Sequence, residues 1–389
     1  MQYRDFGRTG LKVSALGFGA MRLPTKDNEP SSPNIIEEEA IKLIRYAIDN
    51  GVNYVDTAYP YHGKQSEVVV GKALKDGYRE KVFLATKSPV PMLKEEGDFD
   101  RILDEQLKKL QTDHIDFYLL HSLRRDKWND VVLKFDILSK LEKAKAQGKI
   151  KYIGFSFHDS IELFKEIVDY YPKWDFCQIQ LNYIDINHQA GMEGLKYAAS
   201  KGLGVIIMEP LLGGKLANPP VEVNKILPKE KSPVHSAFDF LWDREEISLL
   251  LSGMGSMKMV QDNISYAEES RINKLSDEER EMYKRAKIVY DTMALVPCTK
   301  CSYCMPCPFG LDIPKIYEAY NKTAVIKLEE AKAFYDEILI KAESCKKCKK
   351  CEKVCPQNIK SSELMPVIEK VFANFSAPKR SNMWETVRR

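Results

Sequence analysis

Cysteine is concentrated near the end of the chain, where eight of the nine cysteines form two short runs. The first is Cys298-x2-Cys301-x2-Cys304-x2-Cys307-Pro308, and the second is Cys345-x2-Cys348-x2-Cys351-x3-Cys355-Pro356. Three thiolates spaced by two residues can hold three corners of a cubane cluster, and the cysteine before proline commonly ligates a second cluster. The pattern predicts two four-iron four-sulfur clusters, which carry electrons one at a time.

Two structural zinc sites of four thiolates each are the alternative for these runs. Zinc sites more often pair two CxxC knuckles, so a run of four cysteines that ends in Cys-Pro favours iron–sulfur. The first run has one residue fewer before its fourth cysteine than the second. Ligation across the runs would group Cys298, Cys301 and Cys304 with Cys355 in one cluster, and Cys345, Cys348 and Cys351 with Cys307 in the other.

A second set of reactive side chains lies far earlier, each just after a predicted strand. Asp56 and Tyr61 follow one strand, Lys87 follows the next and His121 the one after that. Tyrosine has an ordinary pKa of about 10, and a nearby ammonium lowers it by favouring the phenolate. Lys87 would supply that charge, Asp56 would hold Lys87 by ion pairing, and His121 would orient a substrate oxygen. The four residues predict a proton-donating site.

The elements that must position these residues alternate short apolar runs with amphipathic stretches, which is the βαβα pattern of a parallel sheet. Eight such units in this length predict a (β/α)8 TIM barrel, whose active site lies at the carboxyl ends of the strands. The strand candidates are 13–18, 52–56, 82–86, 115–120, 152–155, 176–180, 204–208 and 247–251. The helix candidates around them are 37–49, 66–75, 99–110, 130–147, 160–169, 191–200, 235–243 and 257–267, and one more is expected at 276–291.

Segments outside the repeat indicate the domain organisation. Residues 1–13 carry turn-forming glycines and predict a hairpin that closes the barrel floor. Residues 209–234 include five prolines and are too long for an ordinary βα loop, which favours a lid over the site. Helical spacing of apolar residues between the cysteine runs predicts a small, mainly α-helical iron–sulfur domain. The expected division is a barrel domain at 1–291, a helical two-cluster domain at 292–372 and a polar tail at 373–389.

In its first 267 residues or so the chain resembles the aldo-keto reductases. The resemblance rests on GRTGLKVSALGFG at the start, then DTAYPYHG, ATK, LLH, GKIKYIGFS and Glu209-Pro210-Leu211, in that order along successive strands. It implies that Asp56, Tyr61, Lys87 and His121 are the catalytic tetrad. Tyr61 would be the general acid in carbonyl reduction by hydride from a nicotinamide.

The same resemblance implies where the nicotinamide cofactor binds. Ser156 and Gln178 would contact the carboxamide, Tyr183 would wall the ring, and Asn263 would bind the adenine. Pro210, Leu211 and Gly253 follow the last two strands and would complete the cofactor site. Two positions depart from the family: Phe157-His158 stands where asparagine commonly follows the serine, and Met259 stands where an arginine commonly meets the 2′-phosphate. The cofactor is therefore NADPH or NADH, with Lys258 as a substitute cation.

The charge and hydropathy of the chain limit the classes of partner that it is expected to bind. A net charge of +3, from 59 basic and 56 acidic residues, does not suggest a nucleic-acid partner. No window approaches eighteen uninterrupted apolar residues, which predicts a cytoplasmic protein with no membrane partner. The lysines at 346, 347, 349, 350 and 353 favour a docking or cluster-tuning surface, and so a possible redox protein partner.

The predicted function is an oxidoreductase that transfers hydride between NAD(P)H and a small carbonyl or alcohol substrate, with two 4Fe–4S clusters for electron transfer. Hydride carries two electrons together, whereas a cubane cluster accepts one, so direct exchange needs an intermediary such as a flavin. No flavin motif is legible in the sequence. The alternatives are a carbonyl reductase with purely structural clusters, and a non-catalytic module for redox sensing or electron transfer.

Overall fold

The computed structural model describes residues 1–293, 295–324 and 328–373. The chain forms two compact units, the first made of Met1–Leu211 with Val234–Arg280. The second combines Leu212–Pro233 with the residues from Glu281 onward. The long segment that the sequence presents as a barrel loop therefore groups with the cysteine-containing unit. Residues 374–389, the greater part of the predicted tail, lie outside the described residues.

The first unit opens with the predicted hairpin, in which β1 (Tyr3–Asp5) pairs antiparallel with β2 (Lys12–Ser14). Gly7 and Gly10, in the connection, have φ of +51° and +75°. A Cβ on Gly7 would lie only 2.3 Å from the backbone nitrogen of Gly204, so no larger residue fits there. The hairpin carries Phe6 into the barrel interior, where its ring centre lies 4.7 Å from that of Phe117. The residue thus fills the floor of the barrel.

Eight parallel strands close into the barrel in the order β10-β3-β4-β5-β6-β7-β8-β9. Strong apolar runs with side chains buried on both faces explain why these segments form barrel strands. Their bounds are β3 Leu16–Gly19, β4 Tyr54–Asp56, β5 Phe83–Ser88, β6 Ile115–Leu123, β7 Ile150–Phe157, β8 Phe176–Gln180, β9 Gly204–Met208 and β10 Leu249–Ser252. The predicted (β/α)8 fold is confirmed. The expected strand 13–18 is divided, because Ala15 separates β2 from β3.

Helices of the first unit surround the barrel, and the second unit has helices of its own. Those of the first unit lie at α1 Glu37–Asp49, α2 Ser66–Ala73, α3 Asp98–Leu110, α4 Arg125–Lys127, α5 Ile137–Ala146, α6 Ile161–Tyr170 and α7 Gly191–Ser200, followed after the long segment by α9 Pro233–Trp242 and α10 Met257–Glu268. The single helix expected at 130–147 is wrong. A π-helical turn at Trp128–Leu133 precedes α5, and Asp136 between them has φ of +49°.

The second unit is mainly helical, as predicted. Its helices are α8 Val221–Asn224, most of α11 Asp277–Met293, α12 Ile313–Lys322, α13 Leu328–Asp336, α14 Lys350–Val354 and α15 Ser361–Ala373. Its core includes Val296, Ile316, Tyr317, Met365 and Ile368, with cysteines packed against it. None of the helices in the described ranges is both long and apolar enough to cross a bilayer.

Candidate active site and cysteine cavities

An ion pair lies at the carboxyl ends of two neighbouring barrel strands. Asp56 is the last residue of β4 and Lys87 lies near the end of β5, so the parallel pairing brings their side chains together. The Lys87 Nζ donates to Asp56 Oδ1 at 2.6 Å and to the Thr57 carbonyl oxygen at 2.8 Å. Both side chains are almost fully buried. The lysine is thus held in one position without help from bulk water.

Tyr61 and His121 complete the group that the sequence predicts. The Lys87 Nζ lies 4.8 Å from the centre of the Tyr61 ring, and the rings of Tyr61 and His121 meet edge to face with centres 6.1 Å apart. His121 lies in β6, next along the barrel from Lys87. The structure therefore brings all four predicted catalytic residues together at one end of the barrel.

The turn that presents Tyr61 is held by its neighbour His62. This residue has φ of +50° and is buried, and its Nε2 accepts a hydrogen bond from the Leu23 amide at 3.2 Å. Its Nδ1 donates to the Ser32 carbonyl oxygen at 2.7 Å. Burial lowers the pKa of His62, which fits this neutral tautomer. Both ring nitrogens therefore anchor the turn.

Burial acts against charge throughout the group. It lowers the pKa of Lys87 and raises the pKa of Asp56, while the attraction between the two opposes both shifts. Burial, together with the Lys87 ammonium and with His158, holds the pKa of His121 well below its usual range. His121 is therefore a neutral imidazole at neutral pH, able to hydrogen-bond an oxygen without adding charge.

A buried polar layer behind Lys87 escaped prediction from the sequence. Glu67, on α2, has no exposed surface, and its Oε1 accepts hydrogen bonds from Thr86 Oγ1 at 2.7 Å and from Gln106 Nε2 at 2.6 Å. Gln106 Nε2 also lies 3.0 Å from the Lys87 carbonyl oxygen. The Glu67 carboxylate also raises the pKa of Lys87, by less than Asp56 does, so it favours the ammonium. In sequence this glutamate reads as an ordinary polar helix residue.

Two of the predicted cofactor residues stand opposite each other on neighbouring strands. Ser156 in β7 pairs in register with Gln178 in β8, and both are buried. The Ser156 Oγ accepts a hydrogen bond from the Ser122 amide at 2.8 Å. Among the described residues, no hydrogen-bond partner reaches the buried Oε1 of Gln178. An unpaired buried acceptor is costly, and the amide of a nicotinamide carboxamide would satisfy it.

The remaining predicted cofactor residues follow strands β8, β9 and β10. The buried Tyr183 ring meets Phe240 edge to face at 6.2 Å, and Pro210 is buried while Leu211 is partly buried. Asn263 on α10 donates to Ser252 Oγ at 3.1 Å. A Cβ on Gly253 would lie 2.7 Å from the Arg22 side chain. All of them lie at the carboxyl ends of their strands or in the elements that follow.

The two departures from the family pattern are visible in this region. His158 is buried, and burial lowers its pKa to about 3. Its backbone amide donates to the Leu123 carbonyl oxygen at 3.0 Å. At the start of α10, Met259 is half exposed, and Lys258 Nζ lies 2.9 Å from Asp262 Oδ2. The cation that would meet a 2′-phosphate is therefore already paired with a carboxylate.

The cysteines line two small cavities in the second unit. The first is walled by Cys298, Cys301, Cys304 and Cys355, with Cys351 also on its wall. The second is walled by Cys307, Cys345, Cys348 and Cys351. The second run thus contributes Cys355, and the shared Cys351, to the first cavity, and the first run contributes Cys307 to the second cavity, which agrees with crossed ligation.

The surroundings of these cavities fit clusters ligated by thiolates. The Lys300 amide donates to Cys298 Sγ at 3.4 Å, and such bonds tune iron–sulfur sites. Lys300, Ser302, Lys347 and Lys349, which lie between cysteines, all have positive φ. Left-handed residues in such loops turn backbone amides toward one point and create anion-binding concavities. Burial, with a smaller contribution from the neighbouring cysteines, raises the pKa of the Cys304 thiol.

Comparison with known proteins decides the family. The model of the aldo/keto reductase family matches residues 15–285, and that of a 4Fe-4S dicluster domain matches residues 294–359. The chain belongs to the aldo/keto reductase family. The predicted resemblance is confirmed over the barrel, and the second match favours the iron–sulfur interpretation of the cysteines over the zinc one. The protein is an oxidoreductase of a family that uses NAD(P)H, extended by a 4Fe–4S dicluster domain.

Relatives of this aldo/keto reductase are found among both curated proteins and solved structures. The chain is 30% identical to L-galactose dehydrogenase of Arabidopsis thaliana over 68% of its own length and 88% of that protein. It is 34% identical to the uncharacterized oxidoreductase YrpG of Bacillus subtilis over 58% of its length and 71% of that protein. The holo form of aldo-keto reductase AKR11C1 from Bacillus halodurans is 25% identical, with a TM-score of 0.62, over 74% of this chain and 96% of that one.

Proposed function

We propose that the barrel site reduces the carbonyl group of a small molecule to an alcohol, or oxidises the alcohol, with NADH or NADPH as the coenzyme. The observation that carries this proposal is the convergence of Tyr61, Lys87, Asp56 and His121 at the carboxyl ends of adjacent strands. The reduced coenzyme, when bound, supplies hydride to the carbonyl carbon. The side chains of the protein have to bind that coenzyme and donate or accept the proton.

Tyr61 Oη donates the proton to the carbonyl oxygen as negative charge develops there. The Lys87 ammonium, 4.8 Å from the ring centre, stabilises the phenolate that remains, and Asp56 keeps that ammonium charged in spite of its burial. His121 is neutral and donates a hydrogen bond to the same oxygen, which fixes the orientation of the carbonyl. In the direction of alcohol oxidation Tyr61 takes the proton back.

Ser156 and Gln178 are the residues proposed to hold the carboxamide of the nicotinamide. The two residues pair in register on β7 and β8, and the buried Gln178 Oε1 would accept the bond that the carboxamide N–H offers. Tyr183, Pro210, Leu211, Gly253 and Asn263 are proposed as the rest of the coenzyme site. Because Lys258 is paired with Asp262, we expect NADH to be accepted at least as readily as NADPH.

The eight cysteines are proposed to hold two 4Fe–4S clusters with crossed ligation. Cys298, Cys301, Cys304 and Cys355 would hold the first, and Cys307, Cys345, Cys348 and Cys351 the second, which is supported by the walls of the two cavities. When bound, the clusters supply one-electron transfer. This capacity distinguishes the protein from a carbonyl reductase that consists of the barrel alone.

Steady-state kinetics with a panel of small aldehydes and ketones tests the barrel function. Tyr61→Phe keeps the ring but removes the proton donor, and we expect kcat to fall by about 10²- to 10⁴-fold, since that is the usual contribution of a positioned acid. Tyr59→Phe, a buried tyrosine in the same loop whose hydroxyl bonds Glu105, is the matched control and should retain activity. Full activity in Tyr61→Phe would contradict the proposed role.

Anaerobic mixing tests the coupling of the clusters. We expect NADH or NADPH, in the presence of the oxidised protein, to bleach the visible absorbance of the clusters if they exchange electrons with the barrel site. Absorbance that stays constant while carbonyl reduction proceeds would assign the clusters a structural role.

A further inference from the structure

A cavity of about 450 Å³ within the second unit is left unexplained by the barrel chemistry. Pockets for organic ligands usually enclose about 300–1,000 Å³, so the cavity has room for a small ring system. All of its lining residues belong to the second unit. They are Lys215, Asn218, Pro219, Pro220, Val221, Glu222, Tyr290, Cys298, Lys300, Pro314, Glu318, Asn321 and Lys322.

One wall is the proline-rich segment, and it is fastened to the cysteine loop. Gly213 has φ of +64°, and a Cβ there would lie 2.4 Å from the Thr299 carbonyl oxygen, so only glycine permits the approach. The Lys215 Nζ reaches the Val296 carbonyl oxygen at 3.5 Å. The wall is therefore held by specific backbone contacts.

The opposite wall is fastened in the same way. The Asn321 Oδ1 accepts hydrogen bonds from the amides of Leu295 and Val296 at 3.2 and 2.7 Å, and its Nδ2 donates to the Val296 carbonyl oxygen at 2.8 Å. These bonds secure α12 to the strip of chain that leads into the first cysteine run. Both sides of the cavity are thus anchored on residues 295–300.

Cys298 lines this cavity and also the first cysteine cavity, and Pro314 is shared in the same way. A molecule in the large cavity would therefore touch a residue proposed to ligate a cluster. Electron transfer weakens steeply with distance, so contact through a single cysteine is a favourable arrangement. The location marks the cavity as a place where electrons could enter or leave the first cluster.

The chemistry of the lining favours a flat, uncharged ring. Pro219, Pro220, Pro314, Val221 and Tyr290 supply apolar surface, and rings pack well on prolines and tyrosine. The lysines of the lining are engaged within the chain. Lys300 pairs with Glu318 at 2.8 Å, and Lys322 lies 4.8 Å from the centre of the Phe334 ring. With Glu222 and Glu318 also in the wall, the lining offers little for a phosphate, which disfavours a flavin nucleotide.

We propose that this cavity is a quinone site, where a small benzo- or naphthoquinone exchanges electrons with the cluster at Cys298. The proposal rests on the cluster assignment above. The two clusters that the cysteines would hold would each supply one electron when reduced and return to the oxidised state. The quinone takes up both electrons and two protons from water, and its two carbonyl groups become hydroxyl groups. Because a quinone can take up electrons one at a time, it suits one-electron clusters.

Full-length protein purified without oxygen provides the test, with menadione as the probe. Equilibrium dialysis against the oxidised protein should show saturable binding of about one menadione per chain. The protein is then reduced with dithionite, freed of the excess, and mixed with menadione while the visible absorbance of the clusters is followed. The rate of cluster reoxidation should saturate as the menadione concentration rises, and menadiol should accumulate.

A pocket-filling double variant, Asn218→Trp with Val221→Trp, should lose saturable binding and slow reoxidation by at least about tenfold. The control is Ile288→Trp with Leu339→Trp, two exposed positions of the same unit, and it should behave as the wild type. Absence of saturable binding to the wild type overturns the proposal, whatever the variants do. Equal rates of cluster reoxidation in the pocket-filling variant and the control variant would also overturn the proposal. Iron and sulfide analysis of the same samples keeps a failure of the cluster assignment distinct from a failure of the quinone site.

Discussion

Lys87 donates a 2.6 Å hydrogen bond to Asp56 from a position with no exposed surface. A lone ammonium would be expensive there, because burial removes the water that stabilises its charge. The pair is therefore more than an orienting contact: the carboxylate is what allows a charged lysine to stand beside Tyr61. Removal of either partner should change the protonation of the other.

Asp56→Asn tests this dependence through the pH profile. The Asp56 carboxylate raises the pKa of Lys87 against the effect of burial, so its loss should lower that pKa. Activity that requires the ammonium is lost as the pH rises through the Lys87 pKa, and the alkaline limb of kcat/KM should therefore move to lower pH. Because an unpaired buried charge remains, we also expect a loss of about 3–5 kcal/mol in the free energy of unfolding. An alkaline limb that does not move would contradict the role given to Asp56.

The charged form of Glu67 should destabilise the folded protein, whereas the charged form of Asp56 pairs with the Lys87 ammonium. Burial raises its pKa above 4.5, so from about that pH upward the folded protein holds a proton that the unfolded chain has released. The glutamate therefore lowers the free energy of unfolding as the pH rises through its folded pKa. In Glu67→Gln the free energy of unfolding, measured by urea unfolding at several pH values, should fall less steeply as the pH rises. Glu39→Gln, which alters an exposed glutamate in the first turn of α1, is the control and should leave the slope unchanged.

The choice of coenzyme should respond to Asp262. Its carboxylate forms an ion pair with Lys258. Lys258 is the second residue of α10, and its side chain is 83% exposed. Asp262→Asn frees the ammonium, and we expect the ratio of kcat/KM for NADPH to that for NADH to rise roughly 2- to 5-fold, as a single exposed charge pair is worth up to about 1 kcal/mol. The gain should shrink at high salt. Asp277→Asn, at another exposed ion pair with an arginine, should leave the ratio unchanged.

The sequence predicts the barrel and its tetrad because both depend on local patterns. Parallel strands end at one face, so the residue after each strand is placed by periodicity alone, and Asp56, Lys87 and His121 follow from that rule. Glu67 does not, since only the fold reveals that its helix position faces Thr86 and Gln106. The grouping of 212–233 with the cysteine unit is equally nonlocal, because it depends on the close approach of Gly213 to Thr299. Localisation and a redox protein partner stay predictions.

Paired cysteine variants distinguish crossed from sequential ligation. In the crossed arrangement Cys301 and Cys355 serve one cluster, whereas Cys307 serves the other, as the cavity walls suggest. Cys301→Ser with Cys355→Ser should therefore damage a single cluster and leave about four irons per chain, and Cys301→Ser with Cys307→Ser should damage both. Sequential ligation predicts the reverse, because Cys301 and Cys307 would then share a cluster. Iron and acid-labile sulfide per chain, measured on protein purified without oxygen, decide between the two, and retained barrel activity would show that the first unit still folds.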